Sequence, residues 1–112
     1  AYQDMLTQLK QRRRLPSAFF ADNDIIAIGA MKALSEPGIR VPKDISIVGV
    51  DNIPFGAVSS TPLTTMAIPC AEIGRWAVEV LLQTIQTPDM PKTKVQVGAT
   101  LVERASTTRC KR

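Results

Sequence analysis

The run at positions 45–50 constrains the fold most, because it carries no charge and leads directly into Asp51 and Asn52. A short run that is apolar at nearly every position is typical of a strand buried on both faces, as in a parallel sheet covered by helices. In open parallel sheets, ligands bind in the crevice beyond the carboxyl ends of the strands. The run therefore predicts a buried strand that presents Asp51 to a ligand.

A second buried strand is predicted at 17–21, and the polar cluster 22–24 separates it from a helix with apolar residues at helical spacing (Ala27, Ala30, Met31 and Leu34). Strand, helix and strand in this spacing form a βαβ unit, so the two strands should be parallel. The polar clusters 22–24 and 51–52 should then meet at one edge of the sheet. Their acid and amide groups suit a ligand rich in hydroxyls or ring N–H groups.

A simpler role competes with ligand binding at this edge. Any one of Asp22, Asn23 and Asp24 can cap the helix that follows, although capping does not require three polar residues in a row. Asp51 can likewise cap the turn after its strand. Both interpretations stay open from the sequence.

The remaining periodicity predicts three helices, two strands and a tail. An amphipathic N-terminal helix carries Tyr2, Met5, Leu6 and Leu9 on one face. In order, we then expect a short helix at 53–58, a strand at 63–67, a helix at 70–86, a half-exposed strand at 94–101 and a fraying tail at 105–112. The apolar stripe of the long helix is Ile73, Trp76, Ala77, Val80 and Leu81, and Arg75 should pair with Glu79 outside that stripe.

The charge pattern is only mildly informative. The chain of 112 residues has 14 basic and 10 acidic residues, a net charge of +4 that fits a nucleic-acid partner or none. The run Arg12-Arg13-Arg14 either binds phosphate groups or complements the end of the first helix. The second interpretation is favoured, because the run is short and lacks interleaved aromatic residues.

The reactive side chains do not predict an enzyme. The chain has no histidine, which removes the commonest general base and metal ligand, and it has no catalytic serine or cysteine set and no phosphate-binding loop. No cofactor or metal site is therefore expected. Cys70 and Cys110 are not spaced as metal ligands. We interpret Cys70 as a small buried hydrophobic residue rather than a reactive thiol. No signal peptide or membrane span is recognisable, and the chain opens inside a helix without an initiator Met, as in a piece of a longer protein.

Several blocks together resemble the lactose/galactose-repressor family of bacterial transcription regulators. They are residues 16–24, residues 38–52, Pro62-Leu63-Thr64-Thr65, Gly74 and residues 101–107. The resemblance implies an α/β fold, a parallel-sheet three-layer sandwich like that of periplasmic binding proteins, present here as the C-terminal part of a two-lobe core. It implies that residues 1–66 lie mainly in the C-terminal lobe, 67–93 in the other lobe, 94–104 in a return strand and 105–112 in a tail.

The same resemblance implies site residues and partners. Asn23 and Asp51 line the ligand cleft from one side. Ile68 stands where a glutamine is frequent in the family, and Cys70 stands where some members place an aromatic residue against the ligand. These two residues make the other side of the cleft less polar or less able to stack on a ligand. The segment with Pro54, Phe55 and Val58 forms a homodimer contact, although Phe55 can instead belong to the domain core.

The function that follows is effector sensing in a cytoplasmic transcriptional repressor. A sugar-like or nucleoside-like effector binds between the lobes and controls operator DNA binding by an N-terminal helix-turn-helix that precedes residue 1; no membrane partner is expected. One alternative is a periplasmic sugar-binding protein of a transporter, and another is a phosphoacceptor domain in which Asp51 binds Mg²⁺. Residues 1–112 alone should self-associate through exposed Trp76, Val80 and Leu81, and should show no operator preference.

Overall fold

The computed structural model describes residues 1–11 and 14–109, which form two compact units. The first unit contains residues 1–67 and 100–109, and the second contains residues 68–99. The elements of the first unit are α1 (Tyr2–Lys10), β1 (Ala18–Phe20), α2 (Asp24–Ser35), β2 (Ser46–Val50), α3 (Pro54–Val58), β3 (Thr64–Ala67) and β4 (Thr100–Val102). The second unit contains α4 (Cys70–Gln86). In the described part of the chain, no helix has the length and apolar character needed to span a bilayer.

The first unit contains a four-stranded sheet in the order β1-β2-β3-β4. The first three strands are parallel, and β4 runs antiparallel to β3. The registers place Phe19 beside Ile47 and Gly49 beside Thr65. The predicted βαβ unit and the α/β class are therefore confirmed.

The buried face of α2 packs against the sheet. Ala27 and Leu34 of α2 are fully buried. They pack in one cluster with Ile47 of β2 and with Leu63, which directly precedes β3. The first helix, α1, packs on α2 and directs Met5 and other partly buried residues toward the same cluster. The core of this unit is therefore aliphatic and lies on one face of the sheet.

The predicted strands are less buried than expected. In β2 only Ile47 and Gly49 are buried, while the alternate residues are half-buried. In β1 the side chain of Phe20 is 68% exposed. The prediction of burial on both faces is wrong for this chain, because α1 and α2 cover one face and successive side chains of a strand point to opposite faces.

The segment after β4 is anchored, so the prediction of a fraying tail is wrong for the described residues 105–109. Ser106 is fully buried, and its hydroxyl donates to Ile47 O at 2.6 Å and accepts from Thr64 N at 2.8 Å. The backbone N–H of Ile47 in turn donates to Ser106 O at 2.8 Å. Ser106 therefore bridges β2 and the start of β3.

The return strand is also shorter than predicted. Residues 94–99 carry an alternating pattern but form no strand, and β4 contains only Thr100–Val102. Within the second unit, Val95 and Val97 instead line a groove of about 440 Å³ together with Ile73 and Trp76 of α4. Gln96 lines the same groove, so the alternation of apolar and polar residues does not correspond to two faces of a strand here.

Helix α4 has the predicted bounds and the predicted ion pair. Arg75 donates to Glu79 at 2.7 Å and to Glu72 at 2.8 Å, and its guanidinium lies 4.9 Å from the ring of Trp76. No residue of α4 is buried, and Leu81 is 59% exposed. The assignment of this helix to another lobe stays a prediction. Arg12, Arg13 and Cys110 lie outside the described residues.

An exposed ion pair closes the turn that leads into β2 and makes a test by pH possible. The carboxylate of Asp44 accepts from Nε and Nη2 of Arg40 at 2.8 and 2.9 Å. It also accepts from the backbone N–H of Arg40. The side-chain hydrogen bonds from Arg40, followed by the backbone hydrogen bond, lower the pKa of Asp44 from 3.8 to about 2. A lowered folded-state pKa stabilises the fold above the ordinary carboxyl pKa, and this contribution is lost as the pH falls through about 2.

We therefore predict that Asp44 titrates near pH 2 in the folded protein. Arg40→Gln should raise the midpoint toward 3.8, because it removes the donor guanidinium. Side-chain NMR titration of the two proteins measures both values. A midpoint near 3.8 in the protein with Arg40 intact would contradict the observed ion pair.

Candidate functional site

The candidate site lies where β1 and β2 end. Both strands end at the same edge of the sheet, since they are parallel, and polar residues follow each of them. The structure divides these polar residues into two groups, those that bond inside the protein and those that face outward. The division determines which residues remain available to a ligand.

Asp24 belongs to the inner group. As the first residue of α2 it is fully buried, and its carboxylate accepts from Thr65 Oγ1 at 2.6 Å and from Ile53 N at 2.9 Å. Gly49 makes room for it, because a Cβ at this position would collide with Asp24 Oδ1. Asp24 therefore joins α2, β3 and the loop after β2. Sequence reasoning missed this role, since nothing in the sequence distinguishes Asp24 from Asp22, which is exposed.

Asn23 caps α2. Its Oδ1 accepts from Ile26 N at 2.9 Å, with the backbone in the extended conformation expected of a capping residue. The side chain is half-buried, and its amide nitrogen makes no hydrogen bond to any described residue. Capping thus uses the oxygen of Asn23 and leaves two N–H donors available.

Asp51 faces outward in an unusual backbone conformation. Its φ is +107°, and its N–H donates to Met66 O at 2.9 Å, which extends the pairing of β2 with β3 by one residue. The residue is exposed, and within residues 1–11 and 14–109 its carboxylate forms no hydrogen bond. The interpretation of Asp51 as a cap is wrong, because the carboxylate that meets Ile53 N–H at the start of α3 belongs to Asp24.

Asn52 and Arg104 form a second internal connection. Asn52 has φ of +54°, and its N–H donates to Thr65 Oγ1 at 3.3 Å. Its Oδ1 accepts from Arg104 Nη2 at 2.7 Å, and Arg104 Nη1 donates to Leu63 O at 2.8 Å. The side-chain oxygen of Asn52 is therefore bonded inside this edge, as the oxygen of Asn23 is, and sequence reasoning gave no role to Arg104.

Two of the predicted site residues, Ile68 and Cys70, lie in the second unit. Cys70 is the first residue of α4 and is exposed with a free thiol, so the interpretation as a buried hydrophobe is wrong. The reason is that α4 buries none of its residues within the described chain. A ligand site shared by Ile68, Cys70, Asn23 and Asp51 remains a prediction.

The predicted dimer residues are accessible. Phe55 is 61% exposed and Val58 is 77% exposed, while Pro54 begins α3 and is also exposed. The buried residue of this helix is Gly56. The interpretation of Phe55 as a core residue is therefore wrong, and the side chain is free to contact a partner.

A mostly parallel sheet with an outward carboxylate at its carboxyl edge is the arrangement of ligand-binding α/β domains. The family model described as a periplasmic binding protein-like domain matches residues 1–107, so the chain belongs to that family. It corresponds to part of the effector-binding region of LacI/GalR-type transcription regulators, which confirms the resemblance seen in the sequence.

Three known proteins illustrate this similarity. The chain is 39% identical over 103 residues to the HTH-type transcriptional repressor PurR of Vibrio atlanticus (strain LGP32), which covers 92% of the chain and 30% of that relative. The structure of the lac repressor dimer bound to operator and the anti-inducer ONPF matches with a TM-score of 0.84 and 33% identity over 95% of this chain and 36% of that one. A LacI family regulator from Enterococcus faecalis V583 with bound ribose matches with a TM-score of 0.82 and 35% identity over 98% and 40%. The chain thus spans 30% of the length of the curated relative.

We predict that Asp24→Asn and Asp22→Asn have very different effects on stability. The first change replaces one of two buried acceptors with a donor that faces another donor, and should lower the free energy of unfolding by about 2–3 kcal/mol. The second makes the same chemical change at an exposed position and should stay within about 0.5 kcal/mol. Urea denaturation measures both, and equal effects would refute the internal role of Asp24.

Proposed function

We propose that this chain is part of the effector-sensing region of a bacterial transcriptional repressor and that it binds a small, hydroxyl-rich ligand. The observation that carries the proposal is the carboxylate of Asp51, which is exposed at the end of a central strand and is unbonded among the described residues. Its backbone is held at φ of +107°, a conformation that costs a non-glycine residue about 1–3 kcal/mol and that clusters at ligand sites.

The chemistry of the two outward residues suits a sugar. An ionised carboxylate accepts hydrogen bonds from adjacent hydroxyls, and the amide of Asn23 offers two N–H donors to ligand oxygens. The ribose bound to the Enterococcus faecalis regulator supports a sugar-like ligand. A nucleoside-like ligand fits the same groups, because its ribose carries vicinal hydroxyls. On this proposal Ile68 and Cys70 contribute the less polar contacts of the site.

The proposed mechanism is allosteric control of DNA binding. The ligand favours one of two arrangements of the regulator, and the difference in its affinity for the two, typically about 1–3 kcal/mol, sets the change in operator binding. The DNA-reading helix-turn-helix would lie in another part of the protein. This mechanism places the protein in the cytoplasm, and it needs neither a cofactor nor catalysis by this chain.

Two alternative functions are less well supported. A sugar-binding protein of a transporter would share the fold, but the relatives described above are transcription regulators. A phosphoacceptor domain needs acidic neighbours that hold Mg²⁺ beside the reactive aspartate. Asp24 is committed to Thr65 and Ile53, and no metal-binding group of three His, Cys, Asp or Glu residues occurs within the described residues.

A dimer contact through α3 completes the proposal. Phe55 and Val58 expose large apolar side chains on a helix of only five residues. Apolar side chains exposed together mark interaction surfaces, and a two-fold axis would use the same surface on both subunits. The lac repressor, which resembles this chain, was solved as a dimer on its operator.

The ligand proposal predicts that Asp51→Asn weakens sugar binding without changing stability. Loss of an ionised acceptor should cost about 1.5–3 kcal/mol of binding free energy. Calorimetry on the full-length protein with D-ribose, other pentoses and nucleosides measures the affinity. Asp22→Asn removes the same charge nearby and serves as the matched control. If both variants bind the best ligand as tightly as the unaltered protein, the proposed role of Asp51 is wrong.

The dimer proposal predicts that Phe55→Glu shifts the full-length protein toward monomer in sedimentation. Two like charges would face each other across a two-fold contact, because each subunit contributes one. Gln8→Glu adds the same charge on an exposed part of α1 and should leave the association unchanged. An undiminished dimer in the Phe55 variant would exclude α3 from the interface.

A further inference from the structure

At the candidate site two adjacent non-glycine residues have positive φ, Asp51 at +107° and Asn52 at +54°. Each such residue costs free energy, and it persists only where surrounding contacts hold it. We propose that Arg104 is the positioning residue that holds this turn of the chain and thereby aims the carboxylate of Asp51. The inference rests on the proposed function, since it treats Asp51 as the ligand acceptor.

The hydrogen bonds of the chain change character at this turn. The N–H of Asp51 donates to Met66 O, but the N–H of Asn52 donates to Thr65 Oγ1, one residue earlier in β3. The regular pairing with β3 therefore ends at Asp51, and the next N–H is held by a side chain of β3 instead. The consecutive positive φ values of Asp51 and Asn52 turn the chain at this point. The direction of the Asp51 side chain therefore depends on both φ values being kept.

Arg104 lies where it can hold the turn from the side of β4. Val102 pairs with Thr65, and Arg104 follows two residues after the end of β4. Its guanidinium donates from Nη2 to Asn52 Oδ1 at 2.7 Å and from Nη1 to Leu63 O at 2.8 Å. The backbone N–H of Arg104 also donates to Thr64 Oγ1 at 3.0 Å, which fixes the segment that carries the guanidinium.

The bond from Arg104 Nη2 to Asn52 Oδ1 is the only hydrogen bond that the side chains of Asp51 and Asn52 make within the described chain. The other three contacts of the turn use the backbone N–H groups of residues 51, 52 and 53. A backbone contact limits where an N–H lies but leaves the Asn52 side chain free to rotate. The rigid fork of a guanidinium donates to the two acceptors from two different nitrogens, whereas lysine offers a single nitrogen on a flexible stem.

The inference predicts that Arg104→Lys loosens Asp51 even without ligand. A crystal structure of the unliganded full-length variant should show Asp51 or Asn52 outside the observed φ values, or the Asp51 side chain in several orientations. Asn52→Gly removes the same hydrogen bond from the other end while permitting positive φ, and should give the same result. The second variant keeps the test available if the first fails to fold.

The matched control is Ser106→Ala. It removes the buried hydroxyl that bridges Ile47 and Thr64 and should destabilise the same segment, but it leaves the bond between Arg104 and Asn52 in place. D-ribose binding should weaken about tenfold in Arg104→Lys and Asn52→Gly, as expected for one hydrogen bond to a charged group, and should stay unchanged in Ser106→Ala. A purely structural role of Arg104 would instead make the loss of affinity follow the loss of stability in all three variants.

A double-mutant cycle separates the positioning role from direct contact with the ligand. If Arg104 acts through Asp51, then Arg104→Lys should cost little further affinity once Asp51→Asn is present. Additive losses, or unchanged Asp51 geometry in both variants, would overturn the inference. If neither D-ribose nor any other pentose or nucleoside binds the unaltered protein, the proposed ligand class is wrong, and the unliganded crystal structures alone decide the role of Arg104.

Discussion

The buried carboxylate of Asp24 is the interaction on which this edge of the protein depends. It lies fully inside the protein and accepts from Thr65 Oγ1 and from the N–H of Ile53. Buried polar groups are stable only when they are hydrogen bonded, so Asp24 requires both partners in place. It also requires Gly49, since any larger residue would occupy the space of its Oδ1. A helix, a strand and a loop are thus joined by one side chain, which lies against Gly49 of a second strand.

This constraint separates stability from ligand binding. Asp24 and the side-chain oxygen of Asn52 are bonded inside the protein, while the carboxylate of Asp51 and the amide nitrogens of Asn23 and Asn52 make no hydrogen bond to the described residues. The outward carboxylate can therefore interact with a ligand without first breaking a bond within the described chain. The cost of its positive φ is met by the contacts around it, which is the usual way in which strain is retained at a binding site.

Much of the fold was predictable because it depends on local patterns. The βαβ unit, the bounds of α4 and the short helix α3 all follow from periodicity and from proline placement, which are properties of neighbouring residues. Burial was less predictable. Phe20 is exposed and Ser106 is buried, opposite to their chemical character, because burial depends on which elements cover each face of the sheet. The alternation at 94–99 predicts a strand, but these residues form no strand in the structure.

The amino-acid sequence by itself determined the α/β class, the parallel pairing of β1 with β2, and the expectation that a carboxylate and an amide stand at the ends of these strands. It also carried the family resemblance. Only the tertiary structure decided which polar residues turn inward and that Arg104 reaches Asn52. The physical reason is distance along the chain. The deciding hydrogen bonds join residues separated by 29, 41 and 52 positions, and no local pattern specifies which of several equivalent side chains will meet.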